Sequence, residues 1–174
     1  MLGLPDDKFI IGSFQRDTEG GTRNPKLEKG PDLFCDYVEK IKDEKDIHVL
    51  LGGWRREYVI DRLQAAEIPF TFFEKVPLEK LRVMYGACDL YVVASRFEGG
   101  PQAVLEAASM KVPIISRDVG IADAVLEPRC VVDIPNELFM PDDDSVEKNY
   151  QNVQDYSIVL HKNNYLQIFE SVLK

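Results

Sequence analysis

The sequence predicts an α/β fold: a Rossmann-like, doubly wound layer in which a parallel sheet of about six strands is covered by helices on both faces. Three observations predict it. Short apolar runs alternate with helix-like segments along the chain, the runs are apolar on both faces, and the length of 174 residues suits one compact sheet domain. Strands buried on both faces need helices above and below them, so a doubly wound sheet is expected.

Each element follows from its local pattern. Runs rich in β-branched or aromatic residues predict strands at 9–14, 47–52, 70–73, 89–94, 112–116 and 130–134. Apolar residues at helical spacing predict helices at 31–42, 56–67, 78–88, 101–110 and 121–126. The strands and helices thus alternate throughout the first three quarters of the chain.

The last part of the chain has a different composition. Residues 135–155 are polar and acidic, and Asp142–Asp144 is interpreted as a helix cap or a solvated acidic turn. Residues 156–174 resemble an appended helix. We therefore predict a Rossmann-like domain over 1–155 and a tail helix over 156–174.

Composition excludes several classes of protein. The formal net charge of −9 argues against binding of nucleic acid. Three cysteines without a C-x-x-C pair argue against a disulfide framework and a zinc site, and favour a reducing compartment. No apolar stretch approaches the roughly 18 residues that span a bilayer, and the first residues lack the pattern of a signal peptide. We expect a cytoplasmic location without a transmembrane segment.

Ligands of such sheets bind beyond the carboxyl ends of the strands where the strand order reverses, commonly between strands one and four. The loop after the first strand, QRDTEGGTRNPKLEKG, is long and is the most basic stretch of the chain, with Arg16 and Lys29 among its cations. The loop after the fourth strand, SRFEGG, leads into a helix at Pro101, a residue suited to the first helical turn. The predicted crevice therefore joins these two loops.

The chemistry of this crevice fits a phosphorylated sugar compound. Gly99 and Gly100 before the helix would let an anion approach free backbone N–H groups. Arg16 and Lys29 would supply the positive charge that a diphosphate requires. A structural role is also open for the two nearby glutamates: Glu98 would complement the helix dipole, and the carboxylate eight positions later would be solvated.

At this point the residues resemble a known family. Residues 95–120, SRFEGGPQAVLEAASMKVPIISRDVG, are similar to the E-x7-E region of retaining glycosyltransferases of family 4, which have the GT-B fold; the pair here is Glu98 and Glu106. LEKGPDLF, HVLLGG and FFEKVPLEKLRVMYGACDLYVVAS match in the same order, so the resemblance covers almost the whole chain. Many relatives have E-G-F-G where this chain has E-G-G-P, and Pro101 has no N–H to donate to a phosphate.

The resemblance implies transfer of a sugar, of the hexosyl type, from a nucleoside-diphosphate sugar such as a UDP-sugar to a saccharide or glycoconjugate acceptor, with retention of configuration. It implies no metal and no other cofactor, and a role in polysaccharide biosynthesis. The implied catalytic residues are Arg16, Lys29 and Glu98. The implied donor-binding residues are Gly99, Gly100, Pro101, Gln102 and Glu106, with Lys75 and Val76 near the base. Glu106 would hold the ribose hydroxyls.

The resemblance also implies that this chain is one half of a GT-B fold. The expected partner is an N-terminal acceptor-binding domain, in the same or a separate chain, and the tail helix would pack on the sheet domain or reach toward that partner. The chain alone would then be inactive, and the full enzyme could associate with a membrane peripherally. Two alternatives stay open: another GT-B enzyme such as a sugar-nucleotide epimerase, and a non-catalytic nucleotide-binding or interaction domain.

Overall fold

The fold is an open parallel sheet with helices on both faces. The structure, a computed structural model, describes residues 2–173 apart from the side chain at position 164; residues 1 and 174 of the predicted domains lie outside it. The strands are β1 (Phe9–Phe14), β2 (Ile47–Gly53), β3 (Phe70–Glu74), β4 (Leu90–Val93) and β5 (Ile114–Ser116). All neighbouring strands are parallel, in the order β3-β2-β1-β4-β5. The predicted fold class is confirmed, with the reversal of strand order between β1 and β4.

Seven α-helices connect and follow the strands in the described residues. They are α1 (Pro31–Ile41), α2 (Glu57–Ala65), α3 (Leu78–Tyr85), α4 (Gln102–Ser109), α5 (Ala122–Val125), α6 (Asp143–Gln154) and α7 (Ile158–Val172). Alternate strand residues face opposite sides of the sheet, so Ile10 and Tyr91 lie in one apolar cluster while Ile11 and Val49 lie in the other. Burial of both sheet faces explains the continuous apolar runs in the sequence.

The predicted strand at 130–134 is wrong. Cys130 ends a short 3-10 helix that begins at Pro128, and the segment pairs with the sheet through a single parallel bridge between Val131 and Ser116. Cys130, Val132 and Ile134 are nevertheless buried, because they pack into the apolar clusters on the two faces of the sheet. The apolar pattern therefore predicted burial of the segment correctly, but the segment does not form a hydrogen-bonded strand of the sheet.

Helix α6 occupies a region that the sequence showed only as polar and acidic. The Asp142 side chain accepts a hydrogen bond from the backbone N–H of Ser145 at 2.9 Å, which confirms the predicted helix cap. The buried face of α6 consists of Ser145, Asn149 and Val153. Asn149 Oδ1 accepts a hydrogen bond from the N–H of Glu127 at 2.6 Å, so this polar face is satisfied by the loop it covers.

Helix α7 presents large apolar side chains to solvent. Tyr165 is 50% exposed, Phe169 is 64% exposed and Val172 is 78% exposed. These three residues lie at helical spacing, so they form part of one apolar stripe along the helix. Across the described residues, no helix combines the length and hydrophobicity that crossing a membrane requires.

The three cysteines should be unreactive in the folded protein. Cys35, Cys88 and Cys130 are buried and free. Burial raises the pKa of all three thiols, that of Cys35 to about 12, so the reactive thiolate is scarce at neutral pH. We expect Ellman's reagent to modify no thiol in the native chain within minutes and all of them after unfolding in guanidinium chloride. Rapid modification before unfolding would contradict this.

Candidate functional site

A cleft lies at the C-terminal edge of the sheet, where the strand order reverses. The chain continues from β1 to β2 on one side of this point and from β4 to β5 on the other, which leaves a cleft between the two connections. The cleft has a volume of about 600 Å³. Its lining comes from the loops after β1, β4 and β5: Lys26, Glu28, Lys29, Arg96, Phe97, Glu98, Gly99, Asp118, Val119 and Gly120.

The long loop after β1 is anchored by a buried ion pair. Arg56 Nε donates to Asp17 Oδ2 at 2.9 Å, and both side chains have zero exposure. The Arg56 guanidinium also donates to the carbonyl oxygens of Ser13 at 2.6 Å and Gly52 at 2.9 Å, at the ends of β1 and β2. Burial raises the pKa of Asp17 to about 6, although the charge of Arg56 opposes the shift. This network fixes the backbone next to Arg16.

A glycine lets the same loop cross over β4. Gly30 adopts a left-handed conformation with φ of 62°, and a Cβ there would lie 1.9 Å from the carbonyl oxygen of Ala94. The crossing is closed by two backbone hydrogen bonds, in which the N–H groups of Arg96 and Phe97 donate to the oxygen of Glu28 at 2.8 Å and 3.2 Å. The loops after β1 and β4 are therefore joined along their backbones.

Lys29 and Glu98 meet at this junction, a contact that the sequence did not predict. Lys29 Nζ lies 2.5 Å from Glu98 Oε1, and the side chains remain 26% and 18% exposed. The buried Ser95 donates to the same carboxylate oxygen at 3.0 Å. Gln15 Nε2 donates to the Lys29 carbonyl oxygen at 2.8 Å, which fixes the lysine backbone. Both ends of the ion pair are thus positioned by neighbours and still face the cleft.

Three other charged side chains around the cleft, Lys26, Glu28 and Arg96, have structural partners. Arg96 donates to both carboxylate oxygens of Asp32, at 2.7 Å and 2.6 Å, and the hydrogen bonds hold the pKa of Asp32 below its ordinary value. Lys26 Nζ lies 3.1 Å from Glu28. Arg16 is partly buried at the start of the loop and is not among the residues that line the cleft. Lys29 is therefore the predicted cation that the structure places in the cleft.

The turn before α4 is open toward the cleft. A Cβ on Gly99 or Gly100 would meet no atom within 4 Å, so a ligand could approach this backbone closely. Pro101 precedes α4 in an extended conformation and is buried, and Gln102 is the exposed first residue of the helix. The helix N-terminus favours an anion at this position.

Glu106 lies in a separate groove between α3 and α4. This groove has a volume of about 320 Å³ and is lined by Leu78, Leu81, Arg82, Tyr85, Glu106, Ser109 and Met110. Tyr85 Oη donates a hydrogen bond to Glu106 Oε2 at 2.8 Å. The two glutamates therefore occupy neighbouring but distinct surfaces, one before α4 and one in its second turn.

Lys75 and Val76 follow β3, two strands away from β1 in the sheet. Lys75 has φ of 48°, and its Nζ lies 4.7 Å from the centre of the Trp54 ring. Val76 is partly buried against the apolar core. At about 4.8 Å per strand, these residues lie roughly 10 Å from the cleft along the sheet edge.

Sequence reasoning missed part of the cleft lining. Arg96 and Asp118–Gly120 were not predicted as site residues, yet they line the cleft. Gly120 has φ of 56°, and a Cβ there would approach Pro101 Cδ to 2.7 Å, so the loop after β5 packs on the turn before α4. A polar segment that ends in glycine directly after a predicted strand was the available signal.

The combined arrangement suits an anion that also has hydroxyl groups. An anion at the turn before α4 could accept hydrogen bonds from Lys29 and from free amides, while a hydroxyl could donate to Glu98. In the part of the chain that the structure describes, no group of three or more His, Cys, Asp or Glu side chains is arranged to hold a metal ion.

Residues 21–154 match the family model for glycosyl transferases group 1. The chain belongs to this glycosyltransferase family. The matched segment of this member of the family contains Lys29, Glu98 and Glu106, whereas Arg16 lies outside it.

Known proteins support the same assignment of fold. The chain is 27% identical over 136 residues to alpha-galactosylglucosyldiacylglycerol synthase of Streptococcus pneumoniae, across 72% of this chain and 33% of that protein. Sucrose-phosphate synthase from Thermosynechococcus elongatus superposes with a TM-score of 0.75 at 18% identity, over 99% of this chain and 47% of that one. HepE from Anabaena, solved with UDP-glucose, gives 0.72 at 16% identity, over 95% and 49%.

These coverages show that the chain spans a third of the length of its curated relative and about half the length of the two solved structures. At such low identities, the structural likeness establishes the fold alone. The Rossmann-like domain is one half of the GT-B fold, as the sequence predicted.

Proposed function

We propose that this chain is the nucleotide-sugar-binding half of a retaining glycosyltransferase of family 4. The observation that supports this most directly is the Lys29–Glu98 ion pair beside the open turn before α4, at the reversal point of the sheet. Family membership supplies the reaction class, and the cleft supplies groups suited to a phosphate and to a sugar hydroxyl.

The proposed chemistry concerns the leaving diphosphate. Lys29 and the backbone amides at Gly99 and Gly100 would stabilise the charge that develops on the diphosphate as the sugar departs. Arg16 would join them from the start of the same loop after a side-chain rearrangement, since it lies outside the cleft lining. Glu98 would accept a hydrogen bond from the donor sugar while holding Lys29 in place. Retention of configuration and independence from metal are parts of this proposal.

The remaining donor contacts extend from the cleft along α4. Glu106 would accept hydrogen bonds from the ribose hydroxyls in the groove between α3 and α4. Pro101 and Gln102 would border the path of the diphosphate at the start of the helix, and Lys75 with Val76 would flank the base at the end of β3. A nucleotide-sugar is long enough to bridge these positions because it contains a base, a ribose, a diphosphate and a sugar in series.

We propose a UDP-sugar as the first donor to test, with a hexosyl group. HepE, whose fold is similar, was solved with UDP and with UDP-glucose. The name of the Streptococcus pneumoniae relative describes synthesis of a glycosylated diacylglycerol. We therefore propose a glycoconjugate or a polysaccharide as the acceptor. We also propose that the full enzyme is cytoplasmic and associates with a membrane surface.

A second domain would supply the acceptor site. The solved relatives contain roughly as much chain again beyond the matched half. The exposed apolar stripe of α7, with Tyr165, Phe169 and Val172, is suited to contact such a domain. We expect this chain alone to bind a donor without transferring its sugar to added saccharides.

Donor binding can be tested by calorimetric titration of the chain with UDP, GDP and their sugar conjugates, at low salt and without metal. We expect saturable binding of the nucleotides that contain one of the two bases, uracil or guanine. Lys29→Ala and Glu106→Ala should each weaken it by about tenfold or more, because each removes a charged hydrogen-bonding group. The matched control is Lys111→Ala, which removes a surface lysine paired with Glu147 and should leave binding unchanged.

Two results would contradict the proposal. Absence of binding at millimolar nucleotide would favour a non-catalytic interaction domain. A loss of stability in Glu106→Ala well beyond the roughly 1–3 kcal/mol expected for leaving the buried Tyr85 hydroxyl without its acceptor would indicate a structural glutamate.

A further inference from the structure

The carboxylate of Glu106 is oriented by a single neutral hydroxyl. Tyr85 Oη donates to Oε2 at 2.8 Å across the groove between α3 and α4. A carboxylate has about four acceptor positions on its two oxygens, so this bond leaves Oε1 and part of Oε2 available to a ligand. Glu106 therefore combines a fixed orientation with free acceptor capacity.

Tyr85 is itself held rigidly. Its side chain is 2% exposed at the C-terminal end of α3. Its ring centre lies 4.8 Å from that of Phe14 and 5.0 Å from that of Tyr91, in edge and tilted contacts. Phe14 is the last residue of β1, so the aromatic cluster connects the groove to the end of the strand beside the cleft.

The hydroxyl remains a donor throughout the working pH range. Burial, with smaller contributions from the neighbouring Tyr91 and then from the charge of Glu106, raises the pKa of Tyr85 far above its ordinary value. A neutral phenol beside a carboxylate can only donate its proton in a hydrogen bond to it.

Fixing a glutamate matters because its side chain has three rotatable bonds. A ligand that met a free Glu106 would have to order it, and ordering a flexible side chain weakens binding. A glutamate already held by Tyr85 avoids this loss, so its remaining acceptors can discriminate between ligands that have or lack a hydroxyl.

We propose that Tyr85 is a positioning residue that directs Glu106 toward the ribose and thereby sets a preference for ribonucleotides over deoxyribonucleotides. This inference rests on the proposed function, in which Glu106 holds the ribose hydroxyls. Tyr85 acts through Glu106 and does not itself need to touch the donor.

The test compares Tyr85→Phe with the wild-type chain by calorimetric titration. The probes are UDP and 2′-deoxy-UDP, and the corresponding guanosine pair. We expect the wild type to bind the ribonucleotide of its preferred base about tenfold more tightly than the deoxyribonucleotide. In Tyr85→Phe that ratio should fall at least about threefold, through weaker ribonucleotide binding with little change for the deoxyribonucleotide.

Tyr91→Phe is the matched control. It removes the hydroxyl of a second buried tyrosine in the same cluster, one that accepts a hydrogen bond from the Phe14 N–H at 3.0 Å. It should lower the melting temperature at least as much as Tyr85→Phe while preserving the ribose preference. A general loosening of the core would reduce binding of both nucleotides together and would leave their ratio unchanged.

The outcomes separate the two levels of inference. An unchanged ratio in Tyr85→Phe, with a wild type that prefers the ribonucleotide, overturns the positioning role and leaves the proposed function intact. Equal affinity of the wild type for both nucleotides overturns the role of Glu106 at the ribose, and Tyr85 with it. Absence of any nucleotide binding by the wild type overturns the proposed function and the positioning role together.

Discussion

Replacement of Gly30 by alanine should destabilise the protein by more than about 3 kcal/mol, since two independent costs combine. The backbone at Gly30 has φ of 62°, a conformation that alanine adopts unfavourably. The added Cβ would also lie 1.9 Å from the Ala94 oxygen and 2.7 Å from the Ala94 carbonyl carbon, both of which are backbone atoms of the β4 end. Chemical unfolding in urea, followed by circular dichroism, measures the effect.

The same substitution should impair nucleotide binding in whatever fraction remains folded. Relief of the overlap would move the loop away from β4, and the adjacent Lys29 would move away from Glu98. Gly21→Ala is the matched control, because a Cβ there would meet nothing within 4 Å and its φ is not positive. Equal stability of the two variants would contradict the close crossing of the loop over β4.

Replacement of Arg56 by methionine should cost about 3–5 kcal/mol, because it leaves the carboxylate of Asp17 buried without its cation. The substitution also leaves the carbonyl oxygens of Ser13 and Gly52 without the donors that now lie 2.6 Å and 2.9 Å away. Urea unfolding at neutral pH measures the loss. Arg55→Met, which removes only a partly exposed arginine stacked on the Trp54 ring, should cost less than about 1 kcal/mol.

The pH dependence of stability distinguishes this mechanism from simple loss of packing. Burial raises the pKa of Asp17 from 3.8 to about 6, so the folded state retains a proton that the unfolded state releases. The free energy of unfolding therefore falls as pH rises from about 4 through 6. Arg56→Met should deepen this fall, because it removes the charge that lowers the pKa. Asp17→Asn in the Arg56→Met background should recover part of the stability; no recovery would contradict the account.

The fold was predictable because its dominant signal is local. Each strand is a short run that is apolar on both faces, as in Ile47–Gly53, where six of seven residues are buried. Such runs have one architectural solution when helices alternate with them. The common strand order of such sheets reverses between strands one and four, and this expectation located the cleft from the sequence alone.

The elements that sequence reasoning misjudged are those in which burial and polarity disagree. Helix α6 buries Ser145 and Asn149, which no search for apolar periodicity can find. The segment 130–134 shows the opposite case: Cys130, Val132 and Ile134 alternate as buried residues, yet only one bridge joins the segment to the sheet. Hydrogen-bond pairing depends on the position of the neighbouring strand, which the segment itself does not encode.

The candidate site was predictable only in part. Lys29 and Glu98 were identified because unusual residues stood in the two loops that flank the reversal point, and the structure brings them together. The contact of Tyr85 with Glu106 joins two residues 21 positions apart, on different helices, and leaves no local signature in the sequence. Gly120 also has no local signature in the sequence, because its role depends on how the loop after β5 packs on the turn before α4.

The backbone junction between the two loops determines the thermodynamic character of any binding event at the cleft. A 16-residue loop between β1 and α1 would ordinarily become ordered when a ligand arrives, and the lost conformational freedom would weaken the complex. Here the amides of Arg96 and Phe97 already bond to the Glu28 oxygen, so that freedom is lost during folding. Ligand association should therefore show a small heat-capacity change, as expected for binding to a preformed site. Folding of the loop around the ligand would give a large one.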